Sequence, residues 1–384
     1  MSATAILFLA SLLGAPAPAS EGSTDPKLVE LVRQLGAKSY RVREDAARGL
    51  LTRGAASVAV LTDGLRDTDP EVSQRCRQLL PQASALDRNE KLAALLKNPA
   101  APPPPKGLAG LDRFLKITGD DKGSRELYAE LLTIHHRTLE AAEEDIKKAT
   151  EQFRQFSDEA YNKWRVSINS GRYSTDTMFA SRADMTFFLF FSSDSRIRKN
   201  DPAFSRASIL LQGNQISNAI SEKDGTPAMR KIFLDWLENE SQPGFQQRGF
   251  MIASQANLKE ALPLAMKLLE RKEQQSYNKA QILVTLVKLG GKEHIAKLEP
   301  LLEDKSVVAT STFGNGKPLT TQLRDVAIGV SVQLAGQKLV DFGFDTRFAN
   351  QANLGYHYYG FPDDKARNEA HAKWKEWAGK NLKK

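Results

Sequence analysis

The stretch Tyr40-Arg41-Val42-Arg43-Glu44-Asp45-Ala46-Ala47-Arg48-Gly49-Leu50 decides the fold, because Pro70-Glu71-Val72-Ser73-Gln74-Arg75-Cys76-Arg77-Gln78-Leu79-Leu80 repeats its pattern further along. At this offset of 30 residues Val42 aligns with Val72, Ala46 with Cys76 and Leu50 with Leu80. Each window predicts a short helix, a break and a second amphipathic helix. Glycine and an Asp-Pro pair supply the breaks, at Gly36, Gly54, Gly64 and Asp69-Pro70. Asp69-Pro70-Glu71 also predicts a helix start, with Asp69 as the cap and proline at the first helical position.

A second internal match lies far downstream, at an offset of 33 residues. Lys259-Glu260-Ala261-Leu262 aligns with Lys292-Glu293-His294-Ile295, and Leu268-Leu269-Glu270 with Leu301-Leu302-Glu303. The intervening segment, residues 278–289, has helical spacing and ends at Gly290-Gly291. Helix pairs with a period of roughly 30–33 residues are typical of an α-solenoid, in which neighbouring pairs stack to share one core. The sequence therefore predicts an all-α fold.

These motifs give the chain a family resemblance. Residues 35–47 and 67–72 resemble HEAT-type repeats, and the chain as a whole resembles the exported HEAT-repeat proteins of planctomycete-type bacteria. Further along, the segments that support this likeness are 322–327, 334–337, 341–344 and 359–362, with Trp374 and Trp377. The resemblance covers most of residues 28–96 and 245–380. It implies an armadillo-type fold that presents a surface, and it supplies no catalytic residues to carry over.

The chain is expected to have six parts. They are a signal peptide at 1–20, an N-terminal HEAT-like repeat pair at 25–96, a proline-rich linker at 97–107, a helical middle region with a long heptad helix at 108–220, HEAT-like repeats at 221–345 and a C-terminal capping segment at 346–384. The linker carries Pro102-Pro103-Pro104-Pro105, which favours an extended, semi-rigid conformation.

The middle region contains two notable apolar patterns. From Tyr128 to Ala160 a heptad seam predicts one continuous helix about 50 Å long. This helix either packs on the rest of the fold or dimerises, although small alanines and His135 weaken a zipper. The second pattern, residues 185–191, is too short for a membrane span and predicts a buried core helix, with an exposed patch for a partner as the alternative.

The N-terminus predicts export. Residues 3–15 form an uncharged apolar run, followed by Ala15-Pro16-Ala17 and Ala17-Pro18-Ala19, which offer the small residues that a signal peptidase needs. The run lacks a preceding Lys or Arg. We expect cleavage near residue 19 and a location in the periplasm or cell envelope, with a retained N-terminal anchor as the alternative. The mature chain is expected to have no transmembrane span.

Composition excludes several classes of protein. With 41% apolar and 26% charged residues the chain is typical of a folded domain, and 54 Lys+Arg against 46 Asp+Glu give a net charge of +8. The single cysteine, Cys76, rules out an internal disulfide and is expected to be a small buried apolar residue. His135-His136 point about 100° apart on a helix, so they cannot share a metal ion. No nucleophile elbow, phosphate loop or calcium loop is present, so no cofactor is expected.

The candidate partner-binding residues come from three places. His357, Tyr358 and Tyr359 belong to an aromatic cluster that could stack on a base, a sugar or a peptide, or instead cap the core. Lys317 lies in a polar insertion at 310–321, where Asn315-Gly316 favours a hairpin. Lys373 and Lys380 belong to the basic tail, where residues 365–384 hold seven Lys/Arg against two Glu.

The resulting hypothesis is a non-catalytic binding or scaffold protein that holds an unknown protein or cell-envelope polymer outside the cytoplasm. One alternative is a HEAT-like enzyme of the DNA-glycosylase or lyase type, which export would disfavour together with nucleic-acid binding. Another alternative is a self-associating structural envelope protein that uses the heptad helix.

Overall fold

The computed structural model describes residues 25–97, 104–169, 181–197, 201–211, 214–312, 318–345 and 355–382. The predicted signal peptide and most of the predicted linker lie outside these residues. The described part is mainly helical and has only two short strands, which confirms the all-α fold class. The chain divides into two compact units, Met1–Lys97 and Asn98–Lys384.

The described residues of the first unit form four α-helices: α1 (Pro26–Gln34), α2 (Tyr40–Thr52), α3 (Ser57–Gly64) and α4 (Pro70–Lys97). The predicted start at Asp69-Pro70 is confirmed, because the Asp69 carboxylate accepts a hydrogen bond from the Glu71 backbone N–H at 2.9 Å. Proline at the first helical position loses no intrahelical hydrogen bond there.

The repeated positions of the first unit meet in one apolar core. Ala46, Cys76, Leu50 and Val72 are buried, and Leu80 packs against them. Val42 differs, since it is 38% exposed. The prediction for Cys76 is confirmed: its side chain is buried, and burial raises the pKa of its thiol to about 11, so it stays protonated at neutral pH.

In the second unit, the part of the chain up to residue 220 that the structure describes forms six α-helices. They are α5 (Leu111–Thr118), α6 (Lys122–Glu144), α7 (Ile146–Asn169), α8 (Arg182–Ser192), α9 (Pro202–Ala207) and α10 (Gln215–Ile220). The helix predicted over residues 185–191 is α8, and every residue from Met185 to Phe191 in it is buried. The buried-core interpretation of this segment is therefore confirmed.

The prediction of a continuous heptad helix is wrong. Asp145 has extended backbone angles (φ −149°, ψ 105°) and separates α6 from α7, which pack against each other. Its carboxylate accepts a hydrogen bond from the Lys147 N–H at 2.9 Å and so caps α7. Carboxylates are favourable at a helix N-terminus and unfavourable at a C-terminus, so Glu143-Glu144-Asp145 favours a new helix start.

His135 packs in the core of the second unit, where it is 8% exposed. Its ring stacks on Phe187 of α8, with ring centres 4.1 Å apart, and its Nε2 lies 2.8 Å from Asp184 Oδ1. Asp184 also caps α8 through a reciprocal pair of hydrogen bonds with Ser181. This cluster joins α6 to α8 in the core of the second unit.

The second half of this unit consists of α11 (Pro227–Asn239), α12 (Pro243–Gln255), α13 (Leu262–Glu270), α14 (Ser276–Leu289), β1 (Val307–Ser311), β2 (Leu319–Gln322), α15 (Leu323–Leu334) and α16 (Asp364–Asn381). Short 3-10 helices cover Lys292–Leu301, Leu339–Phe342 and Tyr356–Tyr359. The helix predicted at 278–289 is confirmed as α14. Helix α14 packs against both α12 and α15.

The insertion forms an antiparallel strand pair, as the sequence favoured. Strand β1 pairs with β2, and Thr320 of β2 exchanges two backbone hydrogen bonds with Phe361, at 3.0 and 3.1 Å. Lys317 and the expected turn at Asn315-Gly316 lie outside the described residues. Phe361 lies in the segment between the 3-10 turn Tyr356–Tyr359 and helix α16. Its pairing with Thr320 therefore attaches this segment to β2.

Candidate functional site

A groove of about 440 Å³ opens in the second unit between α12, α14 and the turn Tyr356–Tyr359. We call it the glutamine groove, after its lining residues: Gln247, Met251, Ser254, Gln255, Gln281, Val284, Thr285, Val287, Lys288, Gln333, Gly355, Tyr356, His357 and Tyr359. Its volume is within the range of small-ligand sites in proteins.

Helical spacing aligns these side chains. On α12 the residues at 247, 251, 254 and 255 recur at intervals of three and four, and on α14 those at 281, 284, 285 and 288 do the same. Residues with this spacing share one face of a helix. The opposite side of α14 packs in the core, where Ala280, Leu283 and Leu286 are fully buried. The two helices thus turn mixed polar and aliphatic stripes toward the groove.

Two hydrogen bonds fix the orientation of the glutamine side chains. Gln247 Nε2 donates to Gln281 Oε1 at 2.8 Å, and the Tyr359 hydroxyl donates to Gln333 Oε1 at 2.6 Å. Within the described part of the chain, Nε2 of Gln281 and Nε2 of Gln333 donate to no other residue. Each of these two amide nitrogens therefore retains its donors for a ligand.

The rim of the groove is aromatic and uncharged at neutral pH. The Tyr356 ring meets Tyr277 edge-on, with centroids 5.4 Å apart, and meets His357 in the same way at 5.5 Å. Burial, assisted by a hydrogen bond with Tyr277, raises the pKa of Tyr356 to about 12. Burial also lowers the pKa of His357. Both side chains are therefore neutral hydrogen-bonding groups at pH 7.

Charge in the groove comes from one residue. Lys288 is exposed, and no Asp or Glu occurs among the lining residues that the structure describes. The groove therefore combines neutral donors and acceptors, an aliphatic surface and a single cation.

The sequence-predicted binding residues are separated in the structure. His357 and Tyr359 line the groove, whereas Tyr358 lies in the same turn with its ring centroid 4.1 Å from that of His357. Lys373 and Lys380 are exposed on α16 and line no part of the groove, and Lys380 pairs with Glu376 at 2.6 Å. Lys317 is outside the described residues.

The glutamines were missed at the sequence level. Gln281 and Thr285 are polar residues four apart in the otherwise apolar stretch 280–287, and this pattern was the available signal. Gln247 and Gln333 carry no such signal, because glutamine is common on solvated helix faces.

Two further observations limit the chemistry. In the residues that the structure describes, no group of three or more His, Cys, Asp or Glu side chains could hold a metal ion. None of the described helices combines the length and the apolar character needed to cross a membrane.

Gly329 of α15 determines where the groove wall lies. A Cβ atom at this position would be 2.1 Å from Tyr359 Cδ1 and 2.5 Å from its Cε1. Glycine therefore lets the Tyr359 ring pack directly on the helix and holds its hydroxyl against Gln333.

We expect Gly329→Ala to displace Tyr359 and to lower the free energy of unfolding by about 1–3 kcal/mol, the usual cost of overpacking a core. Urea denaturation followed by circular dichroism measures this loss. The matched control is Gly379→Ala on α16, where a new Cβ would meet nothing within 4 Å. It should be neutral or stabilising by up to about 1 kcal/mol. Equal stabilities of the two variants would contradict the packing argument.

No model of a known protein family matches the chain, and a search of curated proteins finds no significant match.

Proposed function

We propose that the protein is a non-catalytic binding protein that holds a protein or polymer partner in the glutamine groove. The carrying observation is the lining of the groove, which joins oriented amide groups to aliphatic and neutral aromatic surface. Such a lining suits recognition, because amides supply both donors and acceptors without undergoing chemistry themselves.

The proposed architecture is a HEAT-like α-solenoid of the armadillo type. The internal matches at offsets of 30 and 33 residues and the all-α composition support it. In such an arrangement stacked helices present a continuous surface on which a partner binds. The proposed location is outside the cytoplasm, on the strength of the apolar run at 3–15 and the alanines that follow.

The glycosylase or lyase alternative has less support. It requires an aspartate and a basic face around aromatic residues, whereas the described groove offers one lysine and no carboxylate. The self-associating alternative relied on a heptad seam exposed on one long helix. The seam instead lies on α6 and α7, which pack against each other, and Leu132, Leu139 and Phe153 are buried within the unit.

Site-specific photo-crosslinking tests the proposal. The photoreactive residue p-benzoylphenylalanine replaces Met251, which lines the groove and is 36% exposed, in the full chain expressed in its native cells. The matched control places it at Gln78, which is exposed on α4 in the other unit. We expect a discrete adduct from position 251 only, with its crosslinked partner identified by mass spectrometry.

A blocking variant makes this result specific. Ser254→Trp puts an indole into the groove from a partly exposed position of α12 and should abolish the adduct while leaving the melting temperature unchanged. Adducts that are the same at both positions, or that persist in the folded Ser254→Trp variant, would refute the groove as the binding site.

A further inference from the structure

We infer that the occupant of the glutamine groove is an extended peptide segment, held through its main chain by Gln247 on α12, Gln281 on α14 and Gln333 on α15, and through alternate aliphatic side chains of its own. This inference rests on the proposed binding function and specifies the class of partner.

The main-chain recognition follows from the amide groups. A peptide unit offers one C=O acceptor and one N–H donor. Nε2 of Gln281 and Nε2 of Gln333 can donate to peptide carbonyl oxygens, and Gln247 Oε1 can accept from a peptide N–H. The bonds that already hold these side chains, Gln247 to Gln281 and Tyr359 to Gln333, orient them before binding. Preorganised side chains lose less conformational entropy when a ligand binds.

The aliphatic lining matches the periodicity of an extended chain. Met251 on α12 and Val284 and Val287 on α14 give the groove apolar surface beside its amides. In an extended peptide alternate side chains point the same way, about 6.6–6.8 Å apart. Alternate apolar side chains of the ligand would therefore lie on this surface while its main chain meets the glutamines.

Charge favours a peptide with a carboxylate. Lys288 is exposed at the groove and forms no ion pair within the described residues, and no lining residue there is acidic. A basic peptide would meet only like charge, whereas an acidic side chain or a free C-terminus would find a partner in Lys288.

A saccharide fits the same surface less well. Stacking on a sugar ring requires an open aromatic face, but Tyr359 is fully buried and Tyr356 already contacts the rings of Tyr277 and His357. The aliphatic residues would also face hydroxyl groups that they cannot hydrogen-bond. The lining thus favours a peptide.

The test begins with phage-displayed random linear dodecapeptides. They are selected on the full-length protein and counter-selected on the Ser254→Trp variant. The enriched sequence is then synthesised with a fluorescent label, and its dissociation constant is measured by fluorescence anisotropy. Gln281→Ala and Gln333→Ala should each weaken binding about tenfold, the effect of one lost hydrogen bond in a desolvated site. The matched control is Gln78→Ala, which replaces an exposed glutamine on α4 and should leave the dissociation constant unchanged.

Chemical modification of the peptide isolates main-chain recognition. Methylating the backbone nitrogen that pairs with Gln247 should weaken binding about tenfold, whereas exchanging leucine for valine at the apolar positions should change it only a few-fold. Failure to enrich any peptide that depends on an open groove, or indifference to N-methylation at every position, would overturn the inference.

A second arm separates this inference from the proposed function. Chito-oligosaccharides are titrated into wild type and into Ser254→Trp. If they bind in a groove-dependent manner and no peptide does, the peptide inference is wrong and the binding function stands. If neither ligand binds and the crosslink at position 251 is also absent, both proposals fail.

Discussion

Replacing Arg367 with methionine is expected to lower the free energy of unfolding by about 3–5 kcal/mol, the cost of leaving a buried charge without its partner. Arg367 and Asp325 have side chains that are 3% and 0% exposed. Arg367 Nε lies 3.1 and 3.0 Å from the two Asp325 oxygens, and its Nη2 donates to the Thr320 carbonyl oxygen at 2.7 Å. One guanidinium thus ties α16 to α15 and β2.

Arg367 provides most of the compensation for the buried negative charge of Asp325. It also accepts hydrogen bonds from the Gln322 N–H at 2.8 Å and lies 3.2 Å from His371 Nε2. In the Arg367→Met variant the carboxylate would keep these two contacts and lose its buried cation. Urea-induced unfolding, monitored by circular dichroism, gives the loss directly.

Two variants test whether the network itself matters. Combining Arg367→Met with Asp325→Leu removes both charges and should recover part of the lost stability, because a buried ion pair is often replaceable by apolar residues. Lys380→Met breaks an exposed pair with Glu376 on the same helix and should leave stability unchanged within error. An Arg367→Met variant as stable as Lys380→Met would refute the argument.

Local patterns in the sequence were sufficient to predict many of the helices. Residues 278–289 were predicted from apolar spacing and a closing glycine pair, and α14 spans Ser276–Leu289. The buried helix at 185–191 was predicted from its continuous apolar run, and the start at Pro70 from the Asp-Pro pair. In each case the signal lies within a few residues of the element that it specifies.

The heptad seam shows where local pattern fails. A seam states that one face is buried, but it does not say whether the covering surface belongs to another chain or to the next helix. The capping residue Asp145 decides this, and it turns the seam of α7 back toward that of α6. One acidic residue in a charged helix is too common to serve as a break signal by itself.

The glutamine groove depends on long-range contacts, which explains why only part of it was foreseen. His357 and Tyr359 were noticed because aromatic residues cluster in the sequence. Gln247, Gln281 and Gln333 come from three helices, and a pair such as Tyr359 with Gln333 spans 26 positions. Likewise Arg367 and Asp325 lie 42 residues apart. No local periodicity connects such residues.

Changing both Trp374 and Trp377 to alanine is expected to lower the melting temperature by about 6–20 °C. The reason is that truncating the buried Trp374 alone should lower the free energy of unfolding by about 3–5 kcal/mol. Trp374 is 3% exposed, and its ring stacks on Trp377 with centroids 5.5 Å apart. Phe342 meets both rings edge-on, at 5.9 and 6.3 Å. The indole pair therefore seals α16 onto the 3-10 turn Leu339–Phe342.

The competing interpretation of this tail is a basic amphipathic helix that binds an anionic surface, with the tryptophans inserted into it. Burial of Trp374 opposes that role, because an indole packed in the core is withdrawn from any membrane. Lys373 and Lys380 provide the control, since both are exposed on α16. Lys373→Gln with Lys380→Gln should leave the melting temperature unchanged, and wild type should not cosediment with vesicles of phosphatidylglycerol. A tryptophan double variant that melts like wild type and loses vesicle binding would reverse the assignment of this helix from cap to binding surface.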